Sequence, residues 1–266
     1  MESVVSNDGT RIAYYRGGRG APLVLIHGTG GANPAVGWTS VVPLLEQQFS
    51  VYAVDRRGRG NSGDNPNYAV EREYEDVAAV VDSIGEPANL LGHSYGGLCA
   101  LEASLLSGNV RKLILYEPAL NLSPPASAEP DQIGAEIQGL LEEGKREEAV
   151  VLFYSQIAMM QPEEIEQLRM SSSWAGRLAS AHTLSREMRA HDQYAFVPER
   201  FRSMKIPTLL LVGGNSSASI LGGANSLASV LQNCRVHVLP GQQHVAMLTA
   251  PEMFVDAVAR FMLESI

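Results

Sequence analysis

Short unbroken apolar runs, each followed by a stretch of helical periodicity, constrain this chain more than any other feature. PLVLIHG (Pro22 to Gly28), FSVYAVD (Phe49 to Asp55), ANLLGHS, VRKLILYE (Val110 to Glu117) and IPTLLLVGG carry few polar residues in their interiors. A strand that does not alternate must be covered on both faces, which is the condition of a parallel sheet between two layers of helices. VGWTSVVPLLEQQ, EREYEDVAAVVDSIG, YGGLCALEASLLSG, ANSLASVLQN and PEMFVDAVARFMLES read as those helices, although Pro43 sits inside the first. RVHVLPG adds a last strand, and SVVSNDGTRIAYY alternates around Asn7-Asp8-Gly9 as a hairpin does. The expected class is α/β, with a mostly parallel, doubly wound sheet.

The rhythm breaks after Ala119. From there to about Met204 no buried strand is legible; a Pro-rich loop, SPPASAEP, precedes helical patterns such as IGAEIQGLLEEGKREEAVVLFYSQIAM and PEEIEQLRMSS. The expected organisation is a core of residues 1–118 and 205–266 interrupted by a helical insertion, residues 119–204.

A net charge of -9 without a basic block argues against nucleic-acid binding. The chain shows no signal-peptide pattern, and no apolar run reaches the roughly 20 residues of a membrane span. Cys99 and Cys234 are too far apart for a CxxC site and read as free thiols. The expected setting is the cytoplasm. The expected partner is a small-molecule substrate, with the chain a monomer or homodimer. No metal-ligand spacing is found among the six histidines, and no cofactor is expected.

The strongest local signal is GHSYG, Gly92 to Gly96, between an apolar strand and an apolar helix. A serine on so tight a turn needs small neighbours, and Gly92 and Gly96 supply them. The turn lifts the Ser94 hydroxyl above the sheet, at a helix N-terminus that favours developing negative charge. PGQQHVAM, Pro240 to Met247, places His244 just beyond the last strand, as a candidate base.

With LIHGTGG (Leu25 to Gly31) and VDRRGRGNSG (Val54 to Gly63) added, nearly the whole chain resembles the α/β-hydrolase superfamily, specifically its single-domain serine hydrolases and esterases. The resemblance implies Ser94 as nucleophile, His244 as base and the backbone N–H groups of Thr29 and Tyr95 as an oxyanion hole. It makes the helical insertion a lid, and gives His27 and His93 structural roles. The other histidines fall on the insertion (His182, His191) and on a strand (His237). Asp55, Arg57 and Arg59 are expected to brace loops. Trp174, Met159 and Phe153 are the first candidates for a substrate pocket, with Tyr154, Met160 and Met188 behind them.

One member of the triad departs from the pattern. Many relatives carry Asp or Glu after the strand IPTLLLVGG, where this chain has Asn215. Three readings stand. Asn215 orients His244 as an amide; in a serine triad that change has cost about 10⁴-fold through the wrong tautomer. Alternatively the carboxylate sits one strand along, at Glu117, as in some dehalogenases of this fold. Or the triad is incomplete and the protein binds ligands, or carries out a cyclisation or elimination, with little or no hydrolysis. Glu129 and Asp131 are remote sources of an acid. Glu117 is the expected acid, and the expected reaction is hydrolysis of a small or medium carboxylic ester, thioester or lactone through an acyl-enzyme.

Overall fold

A computed structural model describes residues 1–31, 37–120 and 132–264. The Pro-rich loop, Glu129 and Asp131 lie outside them. Eight strands form one sheet: β1 (Glu2–Val5), β2 (Arg11–Gly18), β3 (Ala21–Ile26), β4 (Phe49–Val54), β5 (Ala88–His93), β6 (Val110–Tyr116), β7 (Thr208–Gly213) and β8 (Cys234–Leu239). Their order is β1-β2-β4-β3-β5-β6-β7-β8. β1 and β2 pair antiparallel, β2 meets β4 antiparallel, and every later pairing is parallel.

The two-residue period of the strands divides the core. Leu90, Leu113, Leu115, Leu210 and Val212 face one layer, with α2 (Val70–Ser83), α3 (Tyr95–Ala103) and α9 (Ala218–Val230). Their neighbours Leu91, Ile114, Tyr116, Leu209 and Leu211 face the other, with α1 (Val42–Leu45) and α11 (Pro251–Leu263). Each such fully buried leucine is worth about 1.5–3 kcal/mol, which is why the unbroken runs hold both faces. The first helix is shorter than its pattern predicts. Pro43 lacks an N–H and is tolerated only in a first turn, so α1 starts beside it. Lys112 is buried, and its ammonium donates to the carbonyls of Phe261, Met262 and Glu264, closing the C-terminus of α11.

Between β6 and β7 the described residues form only helices and turns: α4 (Gln132–Glu142), α5 (Arg146–Leu152), a π-turn (Phe153–Ile157), α6 (Pro162–Arg169), α7 (Trp174–Ala179), a 3₁₀ turn (Ala181–Thr183), α8 (Leu184–Gln193) and a second 3₁₀ turn (Pro198–Arg200). They share their own apolar cluster, including Ile137, Val150, Phe153, Leu168 and Leu184. α10 (Ala246–Thr249) follows β8.

Candidate active site

Ser94 joins β5 to α3 with φ 54 and ψ -123. That is a costly conformation for a residue with a Cβ, on the order of 1–3 kcal/mol, and it survives because neighbours fix it. Its N–H donates to the Tyr116 carbonyl at 3.0 Å, and its own carbonyl accepts the Ala119 N–H at 3.0 Å. A Cβ on Gly96 would strike the carbonyl oxygens of Ile26 and His27, so that position admits only glycine.

Glu117 follows β6 in the left-handed region, φ 44, with its side chain fully buried. One carboxylate oxygen, Oε2, lies 2.6 Å from His244 Nδ1. The other accepts the Gly213 N–H at 2.7 Å and the Ser216 hydroxyl at 2.5 Å. A buried carboxylate needs such partners, and here three groups supply them. Asn215 is placed elsewhere. It is exposed, and its amide donates to the Gly241 carbonyl at 3.4 Å. The chain turns at Gly213 so that Ser216, not Asn215, reaches the acid.

His244 is pinned by two residues that sequence reasoning missed in this role. The Tyr116 hydroxyl donates to the Gln243 carbonyl and accepts the Ala246 N–H at 3.0 Å, clamping the turn on both sides of His244. His93 donates from Nε2 to the His244 carbonyl at 2.8 Å and stacks on Tyr116, ring centroids 5.3 Å apart. Burial holds the His93 imidazole well below its ordinary pKa, and the neighbouring His244 adds to this, so it is a neutral ring. The only signal in the sequence was adjacency: each precedes a candidate catalytic residue.

Ser94 and His244 share the wall of a cavity of about 70 Å³ with Gly28, Thr29 and His93. Tyr95 is the first residue of α3, where helix geometry leaves the N–H without an intrahelical acceptor. The loop carrying Thr29 is held through Gly30, whose carbonyl accepts from the Tyr154 hydroxyl at 3.1 Å and from Arg177 at 3.3 Å. Phe153, Tyr154 and Met160 line the cavity. Trp174 and Met159 do not. Trp174 packs on the insertion's own cluster, and Met159, with φ 54, is 66% exposed. Arg177, Leu168 and Leu248 stand in their place.

The arginine-rich loop after β4 anchors the helices to the core. Arg57 pairs with Asp76 at 2.7 Å and Asp8 at 2.9 Å, while Asp55 accepts the Asn61 N–H at 2.8 Å. Arg56 pairs with Glu73 at 2.7 Å and with Glu187 of α8 at 2.9 Å, and Arg59 also meets Glu187. Burial works against the charge on Glu187, but Arg56 and Arg59 overcome it and lower its pKa. Among the described residues no three His, Cys, Asp or Glu side chains cluster as metal ligands would, and no helix is long and apolar enough to cross a membrane.

Known proteins are similar to this chain in sequence and fold. The family described as "Alpha/beta hydrolase family" matches residues 23–257. A crystal structure of an alpha/beta hydrolase from Sphaerobacter thermophilus DSM 20745 is 34% identical, covers 98% of this chain and 100% of its own, and superposes with a TM-score of 0.84. An esterase structure from Rhodococcus sp. ECU1013 is 27% identical over 98% of both chains, with a TM-score of 0.76. A non-heme haloperoxidase from Rhodococcus erythropolis is 28% identical over 92% of this chain and 93% of its own.

Proposed function

The chain belongs to the alpha/beta hydrolase family, and from that premise we propose a serine hydrolase that cleaves a small or medium carboxylic ester, with thioesters and lactones open to the same chemistry. The observation that carries the reading is the 2.6 Å contact between the buried Glu117 carboxylate and His244 Nδ1, in a site where Ser94 stands on a strained turn. The carboxylate holds Nδ1 protonated, so Nε2 is the free base. Nε2 takes the proton from the Ser94 hydroxyl as its oxygen attacks the acyl carbon. The carbonyl oxygen becomes an oxyanion facing the N–H groups of Thr29 and Tyr95, each such donor worth about 10²- to 10³-fold in rate. The imidazolium, stabilised by Glu117, returns the proton to the departing alcohol. Water then repeats the sequence on the acyl-enzyme and releases the acid.

In this reading residues 1–118 and 205–266 supply the chemistry, and residues 119–204 act as a lid that excludes water and sizes the pocket. The resemblance to the Rhodococcus esterase supports an ester substrate. The contact between Glu117 and His244 favours hydrolysis over a ligand-binding or non-hydrolytic reading. The test is a panel of activated short- and medium-chain esters, wild type beside Ser94→Ala. Turnover that disappears in the variant, by about 10⁴-fold or more, is expected. Turnover that persists in the variant, or none in either protein, would overturn the reading.

A further inference from the structure

The Gly28–Thr29 peptide, whose N–H the proposed reaction uses, has a buried histidine behind it. Gly28 packs against the nucleophile: a Cβ there would come within 2.9 Å of the Ser94 Cβ. Gly28 and Thr29 both line the cavity, whereas His27 does not and is only 1% exposed. Nδ1 of His27 lies 2.8 Å from the Gly28 carbonyl oxygen. A carbonyl can only accept, so Nδ1 is the donor. The Gly31 N–H reaches the same oxygen at 3.3 Å and closes the turn. In a planar trans peptide the C=O and the N–H point in opposite directions. Tying the Gly28 carbonyl to His27 therefore turns the Thr29 N–H away from the ring, and the same bond resists rotation of the peptide plane.

The proton on Nδ1 is secured from the other side of the ring. The Arg56 N–H donates to His27 Nε2 at a long 3.5 Å, which requires that nitrogen to be bare. The Arg56 side chain reaches the His27 carbonyl at 3.4 Å, and Glu73 holds the guanidinium through two bonds of 2.7 Å. Burial, with the positive charges of Arg56 and Arg59 close by, holds the His27 imidazole well below its ordinary pKa, so the ring is neutral and has one proton to place. The same Arg56 guanidinium lies over the Tyr95 ring, 4.7 Å from its centroid. Tyr95 carries the other N–H of the proposed oxyanion hole, so one arginine touches both sides of it.

We propose that His27 is a positioning residue for the oxyanion hole: its Nδ1–H, oriented by Arg56, fixes the Gly28–Thr29 peptide so that the Thr29 N–H meets the oxyanion. This rests on the serine-hydrolase reading and deepens it. His27 acts through the peptide and not on the substrate, and its effect is felt as charge develops on the carbonyl oxygen.

Two variants and one spectrum test it. His27→Leu fills the space without a donor, and His27→Asn places an amide N–H close to where Nδ1 stands. On an ester that wild type turns over, His27→Leu should lower kcat by about 10- to 100-fold, less than the loss of a donor outright, and leave KM within about twofold. His27→Asn should recover most of that loss. In infrared difference spectra the carbonyl band of the acyl-enzyme should move to higher frequency in His27→Leu, as polarisation by the hole weakens, and return in His27→Asn. A residue that merely packed would give the reverse order, because leucine is closer to histidine in bulk than asparagine is, and would leave the band in place. An unchanged kcat in His27→Leu, or His27→Asn no faster than His27→Leu, in an enzyme whose turnover depends on Ser94 would overturn the positioning role and leave the hydrolase reading standing. If His27→Leu fails to fold, or no ester is turned over, nitrogen NMR of the His27 ring in wild type still decides. At neutral pH the proton should sit on Nδ1 with Nε2 bare. A proton on Nε2, or on both nitrogens, would sink the proposal whatever the fate of the hydrolase reading.

Discussion

The two walls of the cavity are built on different principles. The core wall presents Ser94, Glu117 and His244 just past the C-terminal ends of β5, β6 and β8. Parallel register sets their relative heights, and backbone hydrogen bonds such as Ser94 N–H to the Tyr116 carbonyl and Glu117 N–H to the Leu211 carbonyl hold them there. The helical wall presents Phe153, Tyr154, Met160 and Arg177 from a π-turn and short helices that have a separate apolar cluster. It hangs on the core by side chains: Tyr154 and Arg177 to Gly30, and Glu187 to Arg56 and Arg59. Backbone-fixed groups tolerate little change and suit the chemical step. A segment attached by side chains can be redrawn without moving that step, and suits selection of the substrate.

The largest effect that would sharpen this contrast lies on the core wall. Glu117→Gln keeps the shape but removes the charge that stabilises the imidazolium and fixes the tautomer. Acylation is expected to fall by about 10⁴-fold, or roughly 5 kcal/mol at the transition state. Pre-steady-state release of p-nitrophenol measures it directly. A loss of less than tenfold would mean that the 2.6 Å contact serves stability and not catalysis.

The core wall was also the legible one. The α/β class, the turn at Ser94 and the place of His244 follow from unbroken strands and glycine positions, because a sharp strand-to-helix turn has few solutions. Glu117 was legible as a carboxylate ending an apolar run, which burial would force to find a partner. The helical wall was not. Met159 and Met160 are adjacent, and consecutive residues on a helical segment point about 100° apart, so only one could face the cavity. Which one depends on how the chain leaves the π-turn after α5: Met159, just beyond it, adopts φ 54 and is exposed. Arg177 carries no local signal at all; its place depends on how α7 meets the loop at Gly30. Tyr116 read as an ordinary strand residue, and His93 as a structural neighbour of the serine turn with no partner named, until the neighbouring strands were set beside them.

An intermediate effect is expected where the two walls join. Glu187 is fully buried between Arg56 and Arg59, and its side chain also hydrogen-bonds Thr29. Glu187→Gln leaves buried guanidinium charge less compensated, at a cost of about 3–5 kcal/mol. The sign with pH follows from its lowered folded pKa. The carboxylate contributes stability above its unfolded value of about 4.3, and that contribution drains away as pH falls through the folded value. Urea unfolding should therefore show a wide gap between wild type and variant at neutral pH that narrows in acid. A gap independent of pH would mean that shape, not charge, joins the walls there.

The smallest effects separate Ser216 from Asn215, two neighbours on one loop. Ser216 donates to the Glu117 oxygen that does not touch His244, at 2.5 Å, and is half-buried. Its loss removes one charge-assisted hydrogen bond, worth about 1.5–3 kcal/mol when fully buried. Water can reach a half-buried site, so Ser216→Ala should lower kcat/KM by only about tenfold. Asn215 is exposed and bonded to a backbone carbonyl, so Asn215→Ala should stay within about twofold, as surface substitutions do. The order of the two matters more than their size. The loop after β7 often seats the acid in this family, and here it would retain only a supporting hydroxyl. If Asn215→Ala proved the more damaging, the acid would have to be sought again on β7, and the backbone-fixed character claimed for Glu117 on β6 would fail with it.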